Sequence, residues 1–545
     1  MDLLEWFEKK SNTTNQRLSE KKYYDALFVG TVCLITLIVG ILYAALSKTV
    51  YFWDDATYWE IGRDLAEKKI GFDFFKEIYT SIGTSDYNLV PAFLVSLWMK
   101  VFGITRVSYI ACIITLYLIP WQIAVFYTAK EISKAPRTSF LISILSMPAV
   151  MYIVSIGFVD ICGVLVGTLC YYIYFKKKPE KNTWLYYVVL GILLTDIMVL
   201  RRYFAFFSVS FITAMIIDAI MFKADKKNII ITVLTAGIVL VTAFYPFLRN
   251  ILLKDYGTLY SGYKYDVFTD LKLITRYFGL LFILTVLACG PVSAVKKKDM
   301  RGVFTLIQLL VCFFMFIFTQ THGQQHLLLY VPGFVILIIL GINTIKKQWV
   351  LVVAAVLTAV NLFSPCINRV QPQNIQDIKG LSLIPSYSVR PKKRDDVYEL
   401  LTLRRKLDKA IPEGSKCGII ASSFAVNSSI LENVVPSMNI KSERDDRYII
   451  GMPEVDSRDF WRLNEIYDSE YLLVATPAQL HLKESEQTIV TETVSSFKNN
   501  TDIANAFVKE ENFKYTIGDI DFMLYKRHRD VTLTEKTEFE LRLYK

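Results

Sequence analysis

The chain contains no G-x-x-x-x-G-K-[ST] phosphate loop, no G-x-G-x-x-G dinucleotide fingerprint and no G-x-S-x-G turn, which argues against a nucleotide-driven pump and a serine hydrolase. Histidines number only four, and no H-E-x-x-H pattern joins them. The eight cysteines (Cys33, Cys112, Cys162, Cys170, Cys289, Cys312, Cys366 and Cys417) show no C-x-x-C spacing. The first six lie within apolar runs, so they read as packing residues and not as a disulfide framework or a metal site. Charged residues are also scarce, at 21% of 545 positions against 53% hydrophobic. With a mean hydropathy of +0.36, such a chain is too apolar to be soluble throughout and belongs largely in lipid.

What is present is a long series of apolar runs, near residues 23–46, 107–128, 138–157, 160–175, 183–200, 203–222, 228–247, 273–295, 302–320, 327–345 and 348–365. They predict a polytopic α-helical membrane domain of about eleven spans. The segment before Lys22 is polar, so the run from Tyr23 to Leu46 reads as a retained first span and not a cleaved signal. The net charge of +10 falls in short clusters between the runs, where it acts as a topology signal; no nucleic-acid partner is implied. Alternate connections carry these clusters: Lys9, Lys10, Arg17, Lys21 and Lys22; Lys130, Lys134 and Arg137; Lys176 to Lys178 and Lys181; Lys223, Lys226 and Lys227; Lys296 to Lys298 and Arg301; and Lys346 and Lys347. Those six connections mark the cytoplasmic side.

The segment Leu89 to Phe102 is apolar but short and contains Pro91 and Lys100. Counting it as a span would move every later basic loop outside, so it reads as a helix at the outer interface. An odd number of spans then places the tail on the outer side. The expected organisation is a membrane domain over 1–366 with a first outer loop at 47–106, a linker at 367–393 marked by Pro385 and Pro391, and an extracytoplasmic α/β domain over 394–545. In that tail, CGIIAS, YLLVAT, FKYTIGD and FMLYKRH read as strands, while DDVYELLTLRRKLDKAI and IANAFVKEE read as helices.

The outer connections hold the candidate chemistry. YFWDDATYWEIGRDLAEKK places Asp54 and Asp55 at the opening of an amphipathic segment. Either carboxylate is suited to cap a helix or to act as general base on an acceptor hydroxyl or amine at the membrane surface. Asp160 sits in a tight turn between apolar helices, where capping and function are again the alternatives. Arg201 and Arg202 join two spans, an expensive place for cations unless they meet lipid headgroups or a bound anion. His322 and His326 stand at i and i+4, yet without a carboxylate between them we read no metal site. The tyrosine-rich loop NILLKDYGTLYSGYKYDVFTDLK fits a sugar-binding surface or an interfacial aromatic belt.

Asp54, Asp55, Tyr58, Glu60, Ile61 and Arg63 match in order and spacing the first-loop signature of the GT-C superfamily of membrane glycosyltransferases. The chain resembles most the aminoarabinose transferases and protein O-mannosyltransferases. VFGITRVSY, GFVDICG, GILLTDIMVL and THGQQHLLLYVP resemble later steps of the same pattern, in order, over roughly the first 345 residues. The resemblance implies an inverting transfer of sugar from a polyprenyl-phosphate donor to a glycan, lipid or protein acceptor, with Asp54 as the catalytic aspartate aided by Asp55 and Asp160. Tyr58, Arg63, Lys76, Arg201, Arg202, His326 and Tyr330 are the implied substrate-binding residues, and no cofactor beyond a possible divalent cation is called for. Thr57 and YNLVP depart from the aminoarabinose transferases, which have an arginine and a Lys-Pro-Pro step there, so Lys76, Arg201 or Arg202 would supply the missing phosphate contact. The rival readings are a lipid-linked sugar flippase, which predicts internal repeats and mid-span acids, and an envelope scaffold, which has no use for the first-loop signature.

Overall fold

The structure is a computed structural model that describes residues 14–178, 181–222, 225–367, 380–386, 393–440 and 446–544. Lys9, Lys10, Lys223 and most of the 367–393 linker, Pro391 included, lie outside the described residues. Seven helices among them are long and apolar enough to cross a membrane: Tyr23–Leu46, Arg106–Ile132, Thr183–Leu200, Arg202–Met221, Leu280–Lys297, Arg301–Thr319 and Gln324–Thr344. The last is the axis of the bundle, with 94% of its apolar window buried, whereas Tyr23–Leu46 has 22% buried and lies at the periphery. Two shorter apolar helices, Ile161–Phe175 and Gln348–Ser364, stand where the sequence predicts spans.

Two predicted spans are broken. Pro136–Leu145 and Pro148–Ser155 meet at 55°, and Lys226–Thr242 and Tyr245–Leu253 meet at 92°. In each case proline opens the second helix, at Pro148 and Pro246. A proline ring has no N–H to donate and crowds the preceding turn, so it begins a helix readily and continues one badly. The continuous apolar runs at 138–157 and 228–247 hid both bends. The second bend turns Tyr245–Leu253 onto helix Phe72–Thr84 of the first loop. There the Tyr79 hydroxyl donates to the Ala243 carbonyl at 2.9 Å, and Gly83 leaves the space that Pro246 fills.

The basic connections gather at one end of the bundle. Asp25 accepts from Lys130 at 3.2 Å and from Arg137 at 2.8 Å, the Asn343 side chain accepts from the Lys134 amide at 2.9 Å, and Glu131 accepts from the Lys177 amide at 2.9 Å. The first loop and the tail lie at the other end.

The tail folds around a five-stranded sheet of order β2-β1-β3-β5-β4, with β1 at Cys417–Ile420, β2 at Ile449–Gly451, β3 at Tyr471–Thr476, β4 at Phe507–Ile517 and β5 at Ile520–Arg527. β1 pairs in parallel with β2 and β3, while β5 runs antiparallel to β3 and β4. Successive side chains of a strand face opposite sides. Ile419 and Leu473 therefore enter a core with Leu400, Leu403 and Ile430, and Ile420, Leu472 and Val474 enter another with Ile489, Phe497 and Phe539. The predicted helix IANAFVKEE is instead a single turn, Asp502–Ala506, leading into β4. Pairing with β5 across a turn at Gly518 (φ 59°) outweighs the helix preference of the Lys and Glu side chains.

The first loop, 47–106, is built into this tail. The Lys48 carbonyl accepts from the Arg394 amide at 2.9 Å, Val50 joins the core around Leu400, and the amides of Tyr51 and Trp53 donate to Ser437 Oγ and Ser429 Oγ at 3.1 and 3.0 Å. The chain just before Asp54 is thereby clamped from above.

Candidate active site

Asp54 opens the helix Asp54–Glu67, and Trp53 is its N-cap residue without a side-chain cap bond. The capping role open to Asp54 and Asp55 in the sequence thus falls to neither; both lie in the first turn, where the amide ends of the helix favour negative charge. Trp53 holds φ 47° and ψ −128°, a conformation costly for a side chain this large.

The Asp54 carboxylate accepts from two elements distant in sequence, the Tyr87 hydroxyl at Oδ1 and Gln325 Nε2 at Oδ2, the latter at 2.7 Å. Burial, reinforced by the charge of Asp54, pushes the Tyr87 hydroxyl well above its ordinary range, so it remains a phenol able to donate. Asp55 Oδ1 accepts from Gln324 Nε2 at 3.0 Å. Both aspartates are half-buried.

A second carboxylate is reached through the same turn. Asp160 is fully buried and precedes helix Ile161–Phe175 without capping it by its side chain. Its Oδ1 accepts from Arg201 Nε and from the Tyr203 hydroxyl, each at 2.6 Å, while Oδ2 has no hydrogen-bond partner among the described residues. Arg201 also donates through Nη1 to the Tyr58 hydroxyl at 2.9 Å. Its guanidinium carbon lies 4.9, 5.2 and 5.6 Å from the ring centres of Tyr58, Tyr87 and Tyr203. Burial pushes the Tyr58 hydroxyl up to about 12 despite the adjacent guanidinium. Arg201 is buried against protein; it does not snorkel to headgroups.

Arg202 points the other way, to Asp86 and the Tyr260 hydroxyl, with its guanidinium 4.7 Å from the centre of the Tyr256 ring. Lys254 binds the same Asp86 oxygen at 2.6 Å. Two cations on one carboxylate leave a net positive charge, and Lys254 and Arg202 are 37% and 20% exposed in their side chains.

Behind the first loop lies Arg106, 2% exposed. It donates to the carbonyls of Asp55, at 3.2 Å, and Ile156, and sits 3.5 Å over the Tyr51 ring. Its Nε and Nη1 have no partner among the described residues. Arg106 therefore ties the Asp54 loop to the Gly157–Asp160 turn.

Asp54, Asp55, Tyr58, Asp160 and Arg201 thus come together, with Arg202 on the rim. Arg63 does not join them; it pairs with Glu432 of the tail at 3.4 Å and with Asp64 at 3.6 Å. Lys76 is exposed on helix Phe72–Thr84, with no contact to the cluster among the described residues. Tyr330 is buried, its hydroxyl 2.5 Å from His322 Nε2 while His322 Nδ1 lies 2.9 Å from Asp270. Both ring nitrogens of His322 are therefore occupied by protein groups. The His326 ring accepts from the Gly323 amide at 2.8 Å and packs on Tyr203 at 4.7 Å, so it buttresses the cluster from behind. Tyr87, Asp86, Tyr203, Lys254, Gln324 and Gln325 belong to the site and were not singled out in the sequence.

No family model matches the chain, and no curated protein matches it in sequence. Its fold, however, has solved counterparts. ArnT from Cupriavidus metallidurans in the apo state superposes with a TM-score of 0.56 at 9% identity, over 93% of this chain and 98% of that one. The same protein bound to undecaprenyl phosphate superposes equally well, TM-score 0.56 at 8% identity, over 92% and 97%. The chain has the fold of that protein over most of its length. The likeness to the aminoarabinose transferases read from the first loop therefore holds for the architecture as a whole.

Proposed function

We propose that the protein is an inverting membrane glycosyltransferase that moves a sugar from a polyprenyl-phosphate donor to a cell-envelope acceptor at the outer face of the membrane. The observation that carries this reading is the convergence of Asp54, Asp160 and Arg201 from three separate connections at one end of the bundle. The ArnT counterpart bound to undecaprenyl phosphate supports a lipid-linked donor.

In this reading Asp54, held by Tyr87 and Gln325, takes the proton from the acceptor as its oxygen or nitrogen attacks the anomeric carbon. The bond to phosphate breaks with its electron pair leaving on the phosphate oxygen. Charge grows there in the transition state, so a preorganised cation is worth more at that moment than in the bound donor. Among the described residues, Arg202 and Lys254, which together exceed the charge of Asp86, are suited to this role. Arg201 is committed to Asp160 and Tyr58 and fixes the second carboxylate. Asp160 Oδ2 is buried and has no partner among the described residues; it would accept from a substrate hydroxyl only where the site opens around it, which would satisfy an otherwise costly oxygen. Among the described residues no three His, Cys, Asp or Glu side chains form a metal-ligand group; Asp160 is already paired with Arg201, so Asp54 is the carboxylate that would hold a divalent cation.

The test uses purified protein in detergent with matched radiolabelled donors, one polyprenyl-phosphate-linked and one nucleotide-linked, with and without EDTA. Label is expected to leave the lipid donor only. Transfer from the nucleotide donor alone refutes the reading, and EDTA-sensitive transfer from the lipid donor adds a cation to it.

A further inference from the structure

The rings of the tyrosine-rich loop continue a file that begins in the tail domain. Phe424 lies 5.4 Å from Trp53, Trp53 4.6 Å from His481, His481 6.3 Å from Tyr263, Tyr263 6.3 Å from Tyr260 and Tyr260 6.2 Å from Tyr256, nearly parallel at 8°. The file starts on the tail, passes the residue that precedes Asp54 and ends at Arg202. Phe424 is 42% exposed, and the other five are half-buried, so each residue keeps part of its surface accessible.

Away from its Arg202 end, where two cations share Asp86, the polar groups along the file are balanced in charge. Arg458 donates to the Tyr263 hydroxyl at 3.1 Å and is matched by Asp459 at 2.7 Å. Ser422 Oγ lies 2.9 Å from His481 Nδ1, and the Ser457 hydroxyl is buried with no hydrogen-bond partner among the described residues. Burial raises the hydroxyls of Tyr260 and Tyr263, so both stay neutral and able to donate to a ligand oxygen.

We infer that this file is the acceptor subsite and that the acceptor it takes is an uncharged or weakly charged oligosaccharide, several sugar units lying along the rings with the terminal hydroxyl delivered to Asp54. The inference rests on the glycosyltransferase reading. Sugar rings present C–H faces that suit aromatic surfaces and hydroxyls that need both donors and acceptors at their rim. A polyanionic acceptor would call for unpaired cations, and Arg458 is already neutralised. A lipid acceptor would call for a continuous apolar floor, which Ser422, Ser457 and Arg458 interrupt.

Saturation-transfer NMR on the full-length protein in detergent, with no donor present, tests this using gluco-, manno- and N-acetylglucosamine oligosaccharides of one to six units. At least one series is expected to bind, with affinity rising over the first few units. Phe424→Ala, at an exposed ring, and Tyr263→Leu are each expected to weaken that binding about three- to tenfold, the loss of one stacking contact. In the transfer assay the same variants should raise the acceptor KM more than they lower kcat. Binding by none of the series, or binding that both variants leave unaltered, overturns the subsite. If the lipid donor still loses its sugar to a peptide or lipid acceptor, the subsite alone fails; if it loses its sugar to no acceptor, the glycosyltransferase reading itself fails.

Discussion

Asp54 and Asp160 are joined through one glutamine: Gln325 donates its side-chain amide to Asp54 at 2.7 Å, and its main-chain carbonyl lies 3.1 Å from the Tyr203 hydroxyl, whose proton goes to Asp160 at 2.6 Å. The two carboxylates are therefore set by a single turn at the head of the most buried helix, and a shift of that turn moves both. Gln325→Ala is expected to lower turnover about tenfold or more while Gln325→Glu, which sets a second carboxylate beside Asp54, lowers it further. Equal turnover in both variants would detach Gln325 from the chemistry.

Asp54→Asn should reduce sugar transfer about 10²- to 10⁴-fold, the range lost with a general base, and Asp55→Asn should cost less. The amide in Asp54→Asn keeps an acceptor for Tyr87 or Gln325, so thermal stability should change little. An active, well-expressed Asp54→Asn protein removes the proposed base.

Asp160 and Arg201 form a buried pair, with side chains 0% and 7% exposed. Removing either partner alone leaves an uncompensated buried group and should destabilise by about 3–5 kcal/mol, more than removing both. A double-mutant cycle of Asp160→Asn and Arg201→Gln, read by thermal unfolding in detergent, should therefore show strong coupling. Additive losses would mean that the pair is solvated.

Asp160, Arg201 and Arg202 stand out in the sequence because they interrupt apolar runs, where every charge demands a reason. Asp86 and Lys254, in connections of mixed charge, do not, and neither do the neutral partners. Gln325 and Tyr87 are unremarkable by type, and Gln325 meets Asp54 across 271 residues, a closure that no local pattern encodes. Arg63 and Tyr330 fit the family pattern but are occupied by Glu432 and His322. The proline bends were visible as residues yet masked by unbroken hydropathy, and the order of the tail strands depends on long-range pairing.

Gly157 holds φ 111°, and a Cβ there would meet the Arg106 guanidinium and the Asp55 carbonyl. Gly157→Ala should destabilise by roughly 1–3 kcal/mol and lower transfer by displacing Arg106. Arg106→Met separates the two effects. It removes a buried guanidinium with unpaired N–H groups, so stability should hold, while turnover falls because the Asp55 carbonyl loses its tether. If Arg106→Met retains full turnover, Arg106 is packing only.

Burial raises the Glu454 carboxyl to about 7, with Arg458 4.0 Å away, and lowers His481 to about 4. A raised acid favours folding at low pH, and its contribution is lost as pH climbs through 7; a lowered histidine contributes stability that is lost as pH falls through 4. Between about 4.5 and 6.5 the two slopes oppose, and above 6.5 only Glu454 remains. From pH 6.5 to 8 the tail should lose roughly 1 kcal/mol, measured as wild-type hydrogen exchange in β1 and β3 relative to Glu454→Gln at each pH. Identical pH dependence in the two proteins would place the effect elsewhere.

Topology makes the final prediction, because a site supplied by lipid-linked sugars needs no nucleotide only if it faces outward. The connections rich in Lys and Arg, held together around Asp25 and Asn343, lie at the end of the bundle opposite Asp54 and the tail. Basic connections stay in the cytoplasm, so the first loop and the sheet domain should be outside. Ser485 is exposed on the tail and Lys297 on a basic connection, and the cysteines with described side chains are buried or half-buried, which keeps background labelling low. Ser485→Cys should react with an impermeant maleimide on intact cells, whereas Lys297→Cys should react only after permeabilisation. The reverse pattern would put Asp54 among cytoplasmic nucleotides and remove the physical reason for a polyprenyl-phosphate donor.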